Sequence, residues 1–268
     1  MRLVTYEDGD GPAAGALLGD EIAPVGPSVR ALLAANEEVR PSGERIPRAD
    51  VRLLAPVLDP QKIICMGLNY RDHAEEAGQE IPQNPLWFAK FANSLIGDEQ
   101  PIVLPAAHAD YVDYEAELAV VIGRPAHKVS AEQALDHVAG AMPFNDVSAR
   151  DLQLQNPLWT SGKAIDTFGP CGPALVLMDE IEDLQALELR TRINGEVVQE
   201  GTTANMVFGV AETIAWLSRT MTLLPGDIIA TGTPAGVGGP KGIFLRDGDT
   251  VSVEAEGLGA VTNPVRAE

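Results

Sequence analysis

Two acidic stretches contain residue types that could bind a metal ion. Glu115 and Glu117 are two positions apart in the segment Asp113–Ile122, and on a β-strand such residues project from the same face. The residues that follow are apolar, so the two carboxylates would lie at the edge of a buried core. A hard cation would neutralise their mutual repulsion there. An exposed edge strand is the alternative interpretation of the same pattern.

A third carboxylate, Asp146, follows an apolar stretch and precedes residues typical of a helix start. It could be a helix cap, a position that Asp occupies often. As a third ligand beside Glu115 and Glu117, it would complete an all-oxygen set suited to Mg²⁺ or Mn²⁺. Three protein ligands leave positions on an octahedral ion open for water or substrate.

Three further segments offer groups for acid–base or anion chemistry. His73 and Glu76 share one helical face, and a carboxylate that orients an imidazole makes it a general base; an ordinary exposed pair is the alternative. Lys163 could neutralise a substrate carboxylate or carbonyl oxygen, although a lone lysine is usually solvated. The Gly/Pro-rich turn at Thr233 could present a hydroxyl and backbone N–H groups to an anion, or be only a turn.

Charge and composition exclude several classes of protein. The chain has 268 residues, with 19 Lys+Arg against 39 Asp+Glu and a formal net charge of −20. Such an acidic surface repels nucleic-acid phosphates and anionic membranes, so we expect neither partner. The sequence shows no apolar segment of signal-peptide or membrane-spanning length, which predicts a cytoplasmic protein. The two cysteines match no metal or redox spacing.

The elements that must position these residues are mostly strands. Asn194-Gly195 predicts a type I′ hairpin, and the apolar spacing over Val207–Thr220 predicts a helix capped by Thr203 or Asn205. Many strands and few helices favour a mainly β roll or barrel with a few helices. Residues 1–59 read as a small α+β N-terminal domain, and residues 60–268 as the catalytic domain.

The order of the motifs and their residues resemble those of the fumarylacetoacetate hydrolase family. The resemblance is in particular to its bacterial acylpyruvase and 2-hydroxyhepta-2,4-diene-1,7-dioate isomerase-like members. The resemblance runs from about Val51 to the C-terminus. It rests on the segments GLNYRDHAEE (67–76), PLWFAK (85–90), DYEAELAVVIG (113–123), NDVSARD (145–151), GKAIDTFGP (162–170), NGEVVQEG (194–201) and PGDIIATGTPAGVG (225–238). It implies a mixed β-roll, a homodimer, and one Mg²⁺ or Mn²⁺ per subunit, with Ca²⁺ as a further candidate.

The resemblance also implies roles for individual residues. The metal ligands would be Glu115, Glu117 and Asp146, and the catalytic groups His73, Glu76 and Lys163. Arg150, Gln153 and Thr233 would contact the substrate, and Thr167 matches a position that supports the cation in some members. The sequence departs from the family pattern at Ala164-Ile165 and at Asn156-Pro157, which leaves the substrate open.

The function implied is hydrolysis of a C–C bond in an acylpyruvate-type 1,3-diketo acid to pyruvate and a carboxylic acid, through a metal-bound enolate. Decarboxylation of oxaloacetate and isomerisation of a 2-hydroxy-diene dioate in aromatic catabolism use a related enolate and are the alternatives. The presence of both His73 and Glu76 favours hydrolysis or decarboxylation over isomerisation. A non-catalytic scaffold is a remote alternative, because a scaffold needs no such set of residues.

Overall fold

Strands dominate the structure, a computed structural model that describes residues 1–7, 9, 11–155 and 157–268. The strands are β1 Arg2–Glu7, β2 Pro12–Leu18, β3 Glu21–Gly26, β4 Ile46–Pro47, β5 Arg52–Leu54, β6 Ile63–Gly67, β7 Leu86–Lys90, β8 Leu95–Ile96, β9 Ile102–Leu104, β10 Val112–Asp113, β11 Ala116–Ile122, β12 Val138–Asn145, β13 Ser148–Ala149, β14 Gly169–Pro170, β15 Leu175–Leu177, β16 Glu188–Ile193, β17 Glu196–Thr202, β18 Ile228–Ala230, β19 Thr250–Ala255 and β20 Gly259–Ala267. The helices are α1 Val29–Ala35, α2 Arg71–Glu76, α3 Ala131–Ala134, α4 Arg150–Leu154, α5 Thr160–Lys163, α6 Val210–Ser218 and α7 Gly238–Lys241. The prediction of a mainly β fold with a few helices is confirmed.

Two large sheets contain most of the strands. Eleven strands form a mixed sheet in the order β4-β3-β2-β1-β15-β12-β11-β18-β6-β7, with β5 paired to β1. Five strands form the second sheet in the order β17-β16-β19-β20-β9, and two short ladders join β10 to β13 and β8 to β14. The pair β6–β18 is parallel, whereas the neighbouring pairs β11–β12 and β11–β18 are antiparallel.

Strand β11 lies in the middle of the large sheet, and its pairing brings several strand ends together. Ala116, at its start, lies opposite Asn145, the last residue of β12. The backbone N–H of Asp146 therefore donates to the carbonyl of Glu115, at 3.0 Å. Strand β18 runs antiparallel to β11, and β6 runs parallel to β18. The C-terminal ends of β18 and β6 therefore lie on the same side of the sheet as the N-terminal end of β11.

The side chains of β11 are buried on both faces of the sheet, which explains why this strand is apolar almost throughout. Leu118, Val120 and Ile122 pack into one hydrophobic cluster, and Ala119 and Val121 pack into another on the opposite face. Glu117 has the same parity as Ala119 and Val121, so its carboxylate belongs to that second face.

The N-terminal strands continue the large sheet. Strand β1 pairs with β15, with Leu3 opposite Leu175; β2, β3 and β4 follow outward from β1, and β5 pairs with β1 directly. Val4, Tyr6 and Ala174 belong to one hydrophobic cluster that spans this junction. The division into domains at residues 59 and 60 stays a prediction.

The hairpin prediction is confirmed, because Asn194 and Gly195 have φ angles of 53° and 86°, as a type I′ turn requires. The predicted caps of α6 were wrong: the helix begins at Val210 and its N-cap is Gly209. A tertiary contact is the reason, because Asn69 accepts the backbone N–H of Phe208 on its side chain, at 3.0 Å, and that of Val207 on its carbonyl, at 2.7 Å. No helix within the described ranges is long and apolar enough to cross a membrane.

We expect Val120→Ala to destabilise the protein by about 2 kcal/mol, because it removes two buried methylene-sized groups from the centre of the large sheet. Val197→Ala is the matched control, since Val197 is on a strand of the second sheet and is 47% exposed. Urea unfolding followed by circular dichroism measures both. Equal losses in the two variants would contradict the assignment of β11 to the core.

Candidate active site

The three carboxylates predicted as metal ligands lie together. One oxygen each of Glu115, Glu117 and Asp146 lie within 4.8 Å of one another, and the three residues are 5%, 0% and 0% exposed. An exposed edge strand is therefore excluded as the explanation of the two glutamates. Asp146 is not a helix cap either, because α4 begins four residues later and has Ala149 as its N-cap.

Two buried lysines hold Asp146. The Lys163 ammonium donates to Asp146 Oδ2 at 2.7 Å and to Glu115 Oε2 at 2.8 Å, and only 2% of its side chain is exposed. Lys90 donates to Asp146 Oδ1 at 2.6 Å and to the Val147 carbonyl at 3.1 Å. The alternative interpretation of Lys163 as a solvated lysine is therefore excluded. Sequence reasoning gave Lys90 no role, because its partner Asp146 lies 56 residues away along the chain.

Arg150 is held beside the same cluster by two carboxylates. It donates to Glu115 Oε1 at 2.7 Å, to Asp113 Oδ2 at 2.8 Å and to Gln153 Oε1 at 2.9 Å. Asp113 is fully buried and also accepts the backbone N–H groups at the start of α7. Sequence reasoning missed this role of Asp113, which is separated from Arg150 by 37 residues.

The cluster has one more negative than positive formal charge. Its members are Asp113, Glu115, Glu117, Asp146, Lys90, Lys163 and Arg150.

Burial alone would raise the pKa of Glu115, but the charges of Lys163 and Arg150 outweigh burial and lower that pKa to about 2. Burial and the charges of Asp146 and Glu115 raise the pKa of Glu117 well above its ordinary value.

Glu117 is the member of the cluster that lacks a cation. Its Oε2 accepts the Gly232 backbone N–H at 2.9 Å, and its buried Oε1 has no hydrogen-bond partner among the described residues. An unpaired carboxylate oxygen in a buried, all-oxygen set fits a hard divalent cation such as Mg²⁺ or Mn²⁺. The residues present therefore suit the predicted metal, while the identity of that metal stays a prediction.

The predicted acid–base pair is present on α2. His73 Nδ1 lies 3.4 Å from Glu76 Oε2, and the side chains are 15% and 19% exposed. Both oxygens of Glu76 accept the Gly236 backbone N–H at 3.0 Å, which fixes the carboxylate. With Nδ1 turned toward Glu76, the other ring nitrogen of His73 is the one available to a bound molecule.

Thr233 and Thr167 both make protein contacts. The Thr233 hydroxyl donates to the Ala116 carbonyl at 2.8 Å and accepts from Gln199 Nε2 at 2.7 Å. The Thr167 hydroxyl accepts the Val103 backbone N–H at 2.9 Å. Substrate contact by Thr233 and cation support by Thr167 stay predictions.

One cavity of about 740 Å³ joins these groups. Glu115, Lys163, Arg150, Gln153, His73 and Thr233 all line it. Its remaining walls are largely apolar, and they include Met66, Leu68, Phe88, Tyr111, Trp159, Val237, Pro240 and Phe244. Of the departures from the family pattern, Ile165 packs against a neighbouring hydrophobic cluster, and Asn156 lies outside the described residues.

Comparison with known proteins gives matches along the whole chain. A family model described as fumarylacetoacetate (FAA) hydrolase C-terminal matches residues 62–266, and one described as Rv2993c-like, N-terminal, matches residues 1–56. The mitochondrial oxaloacetate tautomerase Fahd2a of Rattus norvegicus is 47% identical over 223 residues, which are 82% of this chain and 71% of that protein.

Among the similar solved structures that cover the full chain are two enzymes. One is a 2-hydroxyhepta-2,4-diene-1,7-dioate isomerase from Mycobacterium marinum, with 40% identity, a TM-score of 0.86, and coverage of 100% of this chain and 99% of that one. The other is a fumarylacetoacetate hydrolase from Exiguobacterium antarcticum, with 36% identity, a TM-score of 0.90, and full coverage of both chains.

We expect Mn²⁺ to raise the melting temperature of the protein, and to do so more at pH 8 than at pH 5. The folded-state pKa of Glu117 lies above its unfolded-state value, so the stability contributed by its protonated form is present at low pH. That stability is lost as the pH rises through the raised pKa, and a bound cation then replaces the proton. Differential scanning fluorimetry with Mn²⁺ or EDTA measures both shifts.

Glu117→Gln is expected to raise the melting temperature in EDTA at pH 8 and to remove most of the Mn²⁺ shift, because the amide mimics the protonated carboxyl. Glu212→Gln is the matched control, since Glu212 lies on α6 and accepts the backbone N–H of Gly209 at its own helix cap. A full Mn²⁺ shift in Glu117→Gln would count against Glu117 as a ligand.

Proposed function

The chain belongs to the fumarylacetoacetate hydrolase family, whose members are enzymes, and from this premise we propose that it catalyses keto–enol isomerisation of a 2-oxo acid. The observation that carries the proposal is the position of His73, which lines the same cavity as Glu115 and Lys163 and has its Nδ1 3.4 Å from Glu76 Oε2. Isomerisation needs one group that moves a proton and a second set that stabilises charge on oxygen. Both requirements are met within this cavity.

The proposed reaction transfers one proton within the substrate. The ring nitrogen of His73 that faces the cavity removes a proton from C3 of the 2-oxo acid. The C3–H electron pair then forms the C2–C3 double bond, and the C2–O π pair moves to the oxygen. Protonation of that oxygen gives the enol, and the reverse steps restore the keto acid. No oxidant or second substrate is consumed.

Glu76 would keep His73 oriented and would stabilise the transient imidazolium that forms when His73 takes up the proton, as a carboxylate beside a catalytic histidine does. Lys163 lies between Glu115 and Asp146 and would donate a hydrogen bond to the oxygen that gains charge. Glu115, Glu117 and Asp146 are the residues that would hold a divalent cation. When bound, such a cation supplies electrostatic stabilisation of negative charge on the substrate oxygens.

The names of the relatives support proton transfer as the reaction type. One is an oxaloacetate tautomerase, and one is an isomerase of a 2-hydroxy-dienedioate. Both names describe a shift of hydrogen next to a 2-oxo or 2-hydroxy acid group. This favours isomerisation over hydrolysis of an acylpyruvate, which the sequence alone placed first. The implied homodimer stays a prediction.

Hydrolysis of an acylpyruvate is the second candidate, and a specific observation favours it. The His73–Glu76 pair could equally deprotonate a water molecule that attacks a distal carbonyl. The structural relative with a TM-score of 0.90 is named a fumarylacetoacetate hydrolase.

We expect His73→Ala to reduce the enzyme-catalysed exchange of C3 hydrogen for deuterium in oxaloacetate by roughly 10²–10⁴-fold. The reason is that the variant lacks the group that moves the proton. Proton NMR in D₂O with Mn²⁺-free Mg²⁺ buffer measures the rate, after subtraction of the uncatalysed exchange. His127→Ala is the control, since His127 is exposed and contacts Thr222, far along the chain from this pair. Undiminished exchange in His73→Ala would remove the dyad from the mechanism.

Product analysis separates the two candidates. With 2,4-dioxopentanoate and Mg²⁺, isomerisation predicts deuterium at C3 and unchanged total substrate. Hydrolysis predicts equal amounts of pyruvate and acetate that disappear with EDTA. Pyruvate formed from oxaloacetate alone, with release of CO₂, would instead support decarboxylation.

A further inference from the structure

We propose that the cavity selects 2-oxo acids whose distal end is uncharged and apolar. The inference rests on the proposed function, because it assumes that the 2-oxo acid group lies at the carboxylate cluster. It goes further by assigning the other end of the substrate, for which neither the motifs nor the relatives give a residue.

Aromatic side chains form the outer walls of the cavity. Phe88 and Trp159 make an edge-to-face contact with ring centroids 5.7 Å apart, and Tyr111 and Phe244 make another at 5.7 Å. All four line the cavity. Gly67 leaves room for the Trp159 ring, since a Cβ at this position would lie only 2.3 Å from a ring carbon. Such walls favour a flat apolar group over a carboxylate.

Each cationic side chain in the described lining already has an anionic partner. Lys163 contacts Glu115 and Asp146, and its Nζ lies 5.2 Å from the centre of the Phe88 ring. Arg150 forms ion pairs with Glu115 and Asp113, and its Nη2 lies 2.7 Å from Asp113 Oδ2 but makes no hydrogen bond among the described residues. A second substrate carboxylate would therefore have to compete with a protein carboxylate for every cation it could reach.

One carboxylate of this wall has an oxygen without a hydrogen-bond partner among the described residues. Asp151 lines the cavity, and its buried Oδ1 has no hydrogen-bond partner among the described residues. Its Oδ2 lies 2.5 Å from His108 Nδ1, so the imidazole contacts Oδ2 and leaves Oδ1 unpaired within the described ranges. Asp151 therefore adds repulsion against a distal carboxylate.

The size of the cavity and its charge lead to the same substrate class. A volume of about 740 Å³ is typical of sites for ligands much larger than a four-carbon acid. The carboxylate cluster itself carries one excess negative charge, so a bound divalent cation would leave that cluster with one positive charge, which the carboxylate of the 2-oxo acid end would balance. Oxaloacetate and the dienedioate named for the relatives carry two carboxylates, so this chain is expected to differ from those proteins.

Binding of unreactive 2-oxo acid analogues tests the inference independently of catalysis. N-phenyloxamate and N-oxalylglycine share the same chelating end and differ in a phenyl group against a carboxylate. Isothermal titration calorimetry on the Mg²⁺-loaded protein is expected to give a Kd for N-phenyloxamate at least tenfold lower. Equal affinity, or tighter binding of N-oxalylglycine, would overturn the proposal.

Two variants assign the selection to residues. Asp151→Asn is expected to tighten N-oxalylglycine about fivefold and to change N-phenyloxamate less than twofold, because only the repulsion is removed. Trp159→Ala is expected to weaken N-phenyloxamate about tenfold and to leave N-methyloxamate unchanged. Circular dichroism confirms that each variant is folded. An unchanged ratio of the two Kd values in Asp151→Asn would overturn the role of Asp151.

Catalysis then distinguishes failure of this inference from failure of the proposed function. C3 exchange that is faster with phenylpyruvate than with oxaloacetate supports both. Faster exchange with oxaloacetate overturns the selection and leaves the isomerase. Tight N-phenyloxamate binding without exchange in any substrate supports the selection and overturns the isomerase.

Discussion

Four carboxylates buried within one small region repel one another, and the rest of the site depends on how that repulsion is balanced. An uncompensated buried charge costs about 3–5 kcal/mol, so the chain must bring cations to the same place. It does so from three different elements: β7 supplies Lys90, α4 supplies Arg150, and α5 supplies Lys163. The two short helices α4 and α5 thus each contribute one cation, and the cluster keeps one excess negative charge.

Strand pairing in the large sheet is what brings those carboxylates close to one another. Antiparallel pairing of β11 with β12 makes Asp146 a neighbour of Glu115, and the Gly232 amide, two residues after the end of β18, donates to Glu117. The second sheet is tied to the same edge by Gln199, a buried residue of β17. Its oxygen accepts from the Ala116 amide and the Thr191 hydroxyl, and its nitrogen donates to Thr233 and Pro234. All four hydrogen-bonding positions of this side chain are used.

Local patterns were enough to predict the parts of the structure that depend on local physics. The alternation of side chains along β11 and the Asn-Gly turn depend on local backbone geometry, and the three carboxylates named from the motifs lie together. The start of α6 depends on Asn69, more than 130 residues away, and could not be read from helix caps. The same holds for Lys90 and Asp113, because ion pairs across 56 and 37 residues leave no periodic signal.

The pairing of β1 with β15 has a consequence for truncated forms of the protein. A fragment trimmed to the residues that match the hydrolase family model would leave the edge of β15 bare, with the backbone groups around Leu175 and Val176 facing water. Open apolar strand edges are templates for association between molecules. The first 56 residues thus cover an edge strand of the sheet that would otherwise be exposed. Designs that truncate or graft this protein should therefore retain them.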